Sequence, residues 1–328
     1  MFRLLHVAVL VSGIAVGAHA AAAQEKVTYN MAWLPQGSSI GIMVAQDKGF
    51  FRDAGLDVNI IRGYGGNRTA NELDQGMFEF GHVDAISMLL NRKNGGHIRF
   101  VGATNTRSPA AICHIKERRQ PKTIDDLKGL VMGGGSASPV QQVVPAWLEM
   151  NGKPKDFIRL LRMDPAVVDS SLVEGKIDLA ECWAASNRAV IQKLAAKAGL
   201  TVGWIEYSAY GLNVFGAGIA TREELLKTKP EMVRKFLHAT YKGYEFAIAH
   251  PDEAADILVK LFPNADRDIA LQQTREIGEM ITDPLVRDRG LGFMRNDRMQ
   301  SSVQFIGKAF ELNGAVKSED TFTNAYLK

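Results

Sequence analysis

The sequence has very few cysteines: only Cys113 and Cys182 in 328 residues. Two thiols are too few for the disulfide framework of a small secreted scaffold or for a four-thiolate zinc site. They could pair in an oxidising compartment or remain two separate buried thiols. Sequence does not decide between these states, because it does not give the distance between the two Cα atoms.

The sequence also lacks an excess of charge of one sign. It has 39 Lys and Arg residues against 36 Asp and Glu residues, a net charge of +3. Recognition of a phosphate backbone needs clustered positive charge, so we expect no nucleic acid partner. The short basic stretch at 116–122 is interpreted as a solvated loop.

Catalytic and metal-binding motifs are missing as well. The segment Gly63–Asn67 is not G-x-G-x-x-G, and Gly133–Ser138 lacks the ending of a P-loop. No G-x-S-x-G nucleophile elbow occurs. His82 and Asp84 could share a strand face, but such an isolated pair is more typical of core or surface chemistry than of a metal site. We therefore predict no catalytic residue, no metal, no cofactor and no enzymatic activity.

Residues 1–23 have the pattern of a secretory signal peptide. Arg3 supplies the positive start, an apolar stretch runs from Leu4 to about Ala18, and Ala21–Ala23 offer small residues for cleavage. The apolar stretch is shorter than the roughly 20 residues of a membrane span, although an uncleaved anchor is the alternative. No cysteine marks a lipoprotein, so we expect a mature chain that begins at Gln24 and lies in the periplasm.

Apolar strand-like segments alternate with helical ones through the mature chain, which indicates an α/β fold with a mostly parallel sheet covered on both faces. Helix signals are clear at Ser138-Pro139, at Asp164-Pro165 with Gly175 as the stop, and at Pro230. Further helices are predicted near 266–279 and 297–312. The predicted strands are 27–33, 56–62, 80–86, 98–103, 111–115, 130–133, 177–182 and 201–206.

Polar and aromatic side chains follow several of these strands, where ligands of open α/β sheets bind. Free amides at helix starts suit a polar ligand group, and aromatic rings provide flat apolar walls. The predicted ligand-binding residues are Trp33, Ser38, Ser39, Tyr64, Gly65, Gly66, Asn67, Asp84, Ser87, Thr104, Asn105, Gly135, Ser136, Ala137, Ser138, Glu181, Trp183, Tyr207, Tyr210 and Asn213.

Many of these residues also have a purely structural interpretation. Trp33 and Trp183 could simply be core residues, and serine or asparagine at a helix start commonly only caps it. Glu181 is more informative, because a carboxylate at the end of an apolar strand is costly unless it meets water or a donor. We favour a ligand or salt-bridge role for Glu181.

Several short motifs occur in a characteristic order and spacing along the mature chain. They are Ala32–Pro35, Gly41–Phe51, Ala54–Val58, Gly81–Ala85, Thr123–Gly129, Glu174–Ala180 and Tyr210–Ala220. Together they resemble the NMT1/THI5-like family of periplasmic solute-binding proteins, which includes nitrate, sulfonate, taurine and thiamine-pyrimidine-precursor binders. Leu130 stands where that family usually has Lys.

The resemblance implies a type II periplasmic-binding-protein fold with two α/β lobes, a hinge and a ligand cleft between the lobes. Lobe 1 is predicted at 24–108 and 205–328, and lobe 2 at 109–204. The lobes would close on a small-molecule ligand by hinge motion. The implied partners are the permease and the ATPase of an ABC importer in the inner membrane, and we expect a monomer.

The predicted cleft positions are mostly neutral or acidic, with Arg107 as the main exception. This favours a pyrimidine-like or other nitrogen heterocycle with N–H donors over nitrate, taurine, sulfonates or aromatic acids. Two other functions remain open. One is a synthase like the yeast enzyme that makes the thiamine pyrimidine, although Leu212–Gly218 lacks that enzyme's cysteine-rich motif. The other is a ligand-sensing partner of a membrane receptor.

Overall fold

The structure is a computed structural model that describes residues 23–135, 138–282, 284–312 and 314–327. The predicted signal peptide lies outside the described residues except for Ala23, and so do Ser136 and Ala137 of the predicted site. Among the described residues, none of the helices combines the length and the apolar character needed to cross a membrane.

In the described part of the chain, ten strands form two five-stranded sheets, with strand orders β2-β1-β3-β10-β4 and β7-β6-β8-β5-β9. We call the first sheet and its helices the first lobe, and the second sheet and its helices the second lobe. The strands are β1 (Glu25–Asn30), β2 (Leu56–Ile61), β3 (Phe80–Asp84), β4 (Ile98–Asn105), β5 (Ala110–Ile115), β6 (Val131–Gly135), β7 (Arg159–Met163), β8 (Leu179–Trp183), β9 (Val202–Glu206) and β10 (Ala217–Arg222).

Helices cover the sheets, and a long helical segment completes the first lobe. They are α1 (Ile40–Asp47), α2 (Phe50–Asp53), α3 (Gly66–Asp74), α4 (Ala85–Lys93), α5 (Pro139–Met150), α6 (Pro165–Glu174), α7 (Asn187–Lys197), α8 (Glu223–Thr228), α9 (Pro230–Ala249), α10 (Pro251–Leu261), α11 (Arg267–Ile281) and α12 (Asn296–Ala309). Short 3₁₀ turns include Gly37–Ser39, which leads into α1, and Tyr207–Tyr210, which follows β9.

One strand in each sheet runs against its neighbours. Strand β5 is antiparallel to β8 and β9, and β10 is antiparallel to β3 and β4. Each of these strands is the first that the chain forms after it passes from one lobe to the other. The chain therefore passes between the two sheets twice, at 106–109 and at 207–216. The predicted α/β fold with two lobes is confirmed.

The helix boundaries follow the signals in the sequence. Asp164 caps α6 by accepting the backbone N–H of Ala166, and Gly175 ends the helix at a positive φ of 79°. In α5, Pro145 lies inside the helix, and Trp147 is fully buried with its ring edge-on to Tyr207 at 4.9 Å. Helix and strand starts that carry a cap, a proline or a glycine were thus predicted to within a few residues.

Five elements were not predicted: α2, β7, α7, α8 and β10. Strand β7 is an edge strand whose five side chains are all exposed or half-buried, so it has no apolar alternation. Strand β10 is buried along most of its length, but its alanines and glycine give no strand signal. In both strands the pairing with a neighbour, rather than local preference, decides the conformation.

Strand β9 continues to Glu206 and pairs with β5 of the second sheet. The predicted boundary between residues 204 and 205 falls inside this strand. We therefore propose that the second lobe extends at least to Glu206, and that 207–216 is the return crossing.

The two cysteines form a disulfide bond between β5 and β8, with their Cα atoms 5.7 Å apart. The bond joins two neighbouring antiparallel strands in the core of the second lobe, where both residues are fully buried. An oxidising compartment is required for such a bond to persist.

We predict that reducing this disulfide destabilises the second lobe by about 4 kcal/mol, because the bond closes a long loop in the unfolded chain. The cysteines are separated by 69 residues along the chain. Thermal unfolding followed by circular dichroism, with and without a phosphine reductant, measures the effect. The Cys113→Ser/Cys182→Ser variant should melt at the lower temperature and ignore the reductant. Identical melting of the wild type in both conditions would contradict the prediction.

Candidate functional site

A narrow cavity, with room for little more than a water molecule and partly open to solvent, lies between the two lobes at their crossing segments. The first lobe contributes the end of β3 and the start of α4, and the second contributes β8, α5 and the turn after β9. Its lining includes Asp84, Ala85, Ile86, Trp183, Tyr207 and Val214. We call this cavity and the strand ends beside it the cleft.

Asp84 forms the first-lobe wall of the cleft. Its Oδ1 accepts the backbone N–H groups of Ile86 at 3.0 Å and Ser87 at 2.9 Å, which caps α4. Its Oδ2 accepts the hydroxyl of Ser87 at 2.6 Å. Burial raises the pKa of Asp84 above its usual value, and the bonds from Ser87 and Ile86 oppose that rise.

The turn at Gly65-Gly66 lies directly against this carboxylate. A Cβ atom on Gly66 would be 2.2 Å from Asp84 Oδ2 and 2.6 Å from the Ser87 hydroxyl, so only glycine fits there. Gly65 has a φ of 118°, which side chains rarely adopt. The next residue, Asn67, has a buried Oδ1 that no donor among the described residues reaches. This amide oxygen is an acceptor available to a ligand or a water molecule.

Glu181, the middle residue of β8, forms the second-lobe wall. One carboxylate oxygen accepts the backbone N–H of Gly135 at 2.8 Å, and the other accepts the hydroxyl of Ser138. Burial raises the pKa of Glu181, and the nearby carboxylate of Asp169 raises it further. Neither Glu181 nor Asp84 has a cationic partner among the described ion pairs.

Asp169 on α6 was not predicted as a site residue. Its Oδ1 accepts the side-chain amide of Asn187 at 2.9 Å, and the same amide lies 3.2 Å from the carbonyl of Glu181. Asn187 Oδ1 in turn accepts the backbone N–H of Trp183 at 2.9 Å. Burial raises the pKa of Asp169 to about 6. No sequence pattern predicts a site role for Asp169, because this residue lies in the middle of α6 and approaches Glu181 only in the folded protein.

The predicted aromatic residues divide between the cleft and its surroundings. Trp183 and Tyr207 line the cavity, and both burial and the Glu181 carboxylate raise the pKa of Tyr207. Trp33 and Tyr64 are exposed and lie on two first-lobe loops. The backbone N–H of Gly63 donates to the carbonyl of Trp33 and joins these loops. The Tyr64 ring lies 4.6 Å from the guanidinium of Arg62.

The other predicted residues have contacts elsewhere. Ser38 and Ser39 are buried in the turn before α1. Thr104 and Asn105 are buried and bonded to each other at 3.0 Å inside the first lobe, so the structure does not bring them to the cavity lining. Tyr210 donates to the carbonyl of Lys122 at 3.1 Å.

Asn213 also lies apart from the cleft. It lines a separate gap between α5 and α12, where Arg298 donates to its Oδ1. His82, half-buried in the first lobe, lies 3.0 Å from the Thr104 hydroxyl, and its removal from water lowers its pKa to about 4.

The lobes also meet beside the cleft, where α7 packs on α11. Arg188 pairs with Glu276 at 3.1 Å, and both side chains are largely buried. Ala185 is fully buried in the core of the first lobe and donates its backbone N–H to Glu276 at 2.5 Å. Ala185 has a φ of 57°, a left-handed conformation that costs a non-glycine residue about 1–2 kcal/mol. The contact with the first lobe holds this strained backbone in place.

The architecture is that of known periplasmic binding proteins. The sulfonate-binding protein SsuA of Escherichia coli superposes with a TM-score of 0.69 at 14% identity, covering 93% of this chain and 99% of that one. SsuA of Xanthomonas axonopodis, bound to MOPS, gives a TM-score of 0.65 at 13% identity over 90% and 95% of the two chains. The chain therefore has the fold of periplasmic binding proteins.

The family model described as "NMT1/THI5 like" matches residues 36–254, and the chain belongs to this family. Among curated relatives, the riboflavin-binding protein RibY of Chloroflexus aurantiacus is 24% identical over 310 residues, 92% of this chain and 86% of the relative. The 4-amino-5-hydroxymethyl-2-methylpyrimidine phosphate synthase THI13 of Saccharomyces cerevisiae is 23% identical over 256 residues, 76% and 75% of the two chains. The resemblance seen in the sequence is confirmed.

We predict that Asp169→Asn stabilises the protein at neutral pH by on the order of 2 kcal/mol. Folding raises the pKa of this carboxyl group from 3.8 to about 6, so the folded state holds the proton more tightly. The wild type therefore loses stability as the pH rises from about 4 to about 6, and the asparagine removes this loss while still accepting from Asn187. Urea unfolding at pH 4 and pH 7.5 measures the difference, with the exposed Asp268→Asn as the control. An equal effect of Asp169→Asn at both pH values would contradict the prediction.

Proposed function

We propose that this protein is the substrate-binding component of an ABC importer. It captures a small planar nitrogen heterocycle in the cleft, and the two lobes close on it without chemical change to the ligand. The cleft residues of this proposal are Asp84, Ser87 and Asn67 of the first lobe and Gly135, Ser138, Glu181 and Trp183 of the second.

The observation that carries the proposal is the excess of hydrogen-bond acceptors on the cleft walls. Asp84, Glu181 and the amide oxygen of Asn67 are acceptors, and Asp84 is the only charged residue among the described residues that line the cavity. A ligand with N–H donors satisfies these oxygens, and the faces of Trp183 and Tyr207 suit a flat ring.

A sulfonate or nitrate fits this arrangement less well. An anion placed between Asp84 and Glu181 meets two carboxylates without a compensating cation. Sulfonate, taurine, nitrate and aromatic acids therefore rank below heterocycles as ligands. The names of the two curated relatives support the same order, because riboflavin and the aminopyrimidine both contain nitrogen heterocycles with N–H groups.

The proposed partners are the membrane-embedded permease and the ATPase of the importer, and the proposed location is the periplasm. The disulfide between Cys113 and Cys182 supports an oxidising compartment. We propose that the protein acts as a monomer, because one chain supplies both walls of the cleft.

A synthase activity is the alternative that the yeast relatives raise. The segment Leu212–Gly218 has no cysteine, and the only two cysteines of the chain are bonded to each other. Incubation with pyridoxal phosphate separates the two functions: a synthase would form an absorbing Schiff base, whereas a binding protein should not. A pull-down of a permease separates an importer component from a partner of a membrane receptor.

We predict that aminopyrimidines or riboflavin bind more tightly than taurine, alkanesulfonates, aromatic acids or nitrate. Isothermal titration calorimetry on the mature protein, refolded after denaturation to remove any ligand retained from the cell, measures the order. Tight binding of the small anions alone would contradict the proposed ligand class.

We predict that Glu181→Gln weakens binding of the preferred heterocycle by roughly 10- to 100-fold, because a hydrogen bond to a charged group contributes about 1.5–3 kcal/mol. The amide still accepts one bond from Gly135 or Ser138, so the local structure should persist. The matched control is Glu206→Gln, an exposed glutamate in the same lobe. Equal affinities of the wild type and Glu181→Gln would remove Glu181 from the site.

A further inference from the structure

The contact between α7 and α11 links the two lobes through side chains that nothing in the cleft requires. Glu276 of the first lobe lies at its centre. Its carboxylate accepts from the guanidinium of Arg188 at 3.1 Å, the backbone N–H of Ala185 at 2.5 Å and the amide of Gln272 at 3.2 Å. Arg188 and Ala185 both belong to the second lobe.

A second bridge runs from the same loop to the start of α1. The amide of Gln273 donates to the carbonyl of Ser186 at 2.8 Å and accepts the backbone N–H of Gly37 at 3.0 Å. The Ser186 hydroxyl donates to Gln36 at 2.8 Å. A Cβ on Gly37 would be 2.5 Å from Gln273 Cβ, so this approach needs glycine at 37.

We propose that Glu276, Gln273, Arg188 and the loop Ala184–Ser186 form an interlobe latch that holds the lobes in the closed arrangement. The loop begins one residue after Trp183, so movement of the cleft wall and engagement of the latch are mechanically coupled. The strained backbone of Ala185 makes the latch two-state, because its conformation depends on burial in the first lobe and on the bond to Glu276.

The latch is distinct from the exposed ion pairs of the same surfaces. Arg188 and Glu276 have side-chain exposures of 12% and 13%, whereas Arg267 and Asp256, a pair within the first lobe, have 43% and 59%. Loss of one partner of a buried pair leaves an uncompensated charge, which weakens the closed state far more than loss of an exposed pair. The role of the latch in ligand capture rests on the proposed function. Its presence can be tested without any ligand.

The test measures the distance between the lobes in the ligand-free protein. Nitroxide labels on cysteines introduced at the exposed positions Asp57 and Asp156 report this distance by electron–electron double resonance, and the native disulfide leaves no other thiol to label. We expect Arg188→Gln, Glu276→Gln and Gln273→Ala to move the distribution to longer distances, while Arg267→Gln leaves it unchanged.

Two variants separate a latch from a purely structural contact. Arg188→Gln/Glu276→Gln leaves no unpaired charge and should regain thermal stability, yet its distance distribution should remain long. Gln273→Ala keeps both charges and tests the second bridge alone. Distributions identical to the wild type in folded Glu276→Gln and Gln273→Ala variants would overturn the latch. They would leave the proposed ligand binding untouched, because calorimetry tests that binding independently.

Discussion

The cost of burying carboxylates without a cation is the constraint on which this molecule depends. Asp84 ends β3 of the first lobe, Glu181 lies in the middle of β8 of the second lobe, and burial raises the pKa of both. Each is held by N–H and hydroxyl donors of its own lobe rather than by an ion pair. These donors fix the positions of the oxygens but do not neutralise the charge. In the proposed function, a ligand that brings N–H groups between them supplies the missing compensation and draws the two lobes together.

The topology places the two chain connections between the lobes next to the cleft. Each sheet carries the strand that follows a crossing as its single antiparallel member, so the two crossing segments run side by side between the lobes. We propose that ligand contacts on both walls pull the two lobes together about these two connections. The segment at the end of β8 links the two lobes most directly, because Trp183 lies in the cleft and Ala185 lies in the core of the first lobe. Asn187 fastens the loop to Asp169 and to β8.

Much of the fold was predictable because its signals are local. The cap at Asp164, the glycine stop at Gly175 and the proline starts of α6 and α9 each fix a boundary by the conformation of one or two residues. Strands β7 and β10 were missed because their stability comes from partners distant in sequence. The disulfide could not be predicted for the same reason. It depends on the distance between β5 and β8, which cannot be derived from the number of residues between the cysteines.

Site residues were predicted from sequence only where polar or aromatic side chains lie at or near the end of an apolar strand. Asp84, Glu181 and Trp183 follow apolar strands, and the structure places Asp84 and Trp183 in one cavity, with Glu181 beside it. Thr104 and Asn105 also end a strand, but they point into bonds inside the first lobe, a distinction that sequence does not carry. Asp169, Asn187, Gln273 and Glu276 lie within helices and reach the cleft region only through tertiary packing.

The central claim is that this protein holds a nitrogen heterocycle and returns it unchanged. Native mass spectrometry of the protein isolated from its own periplasm, followed by denaturation and mass analysis of what is released, tests it most directly. We predict one small molecule per chain, released with the mass of an intact heterocycle that rebinds to the refolded protein. Release of a small anion, or of a compound altered from the one supplied, would contradict the account.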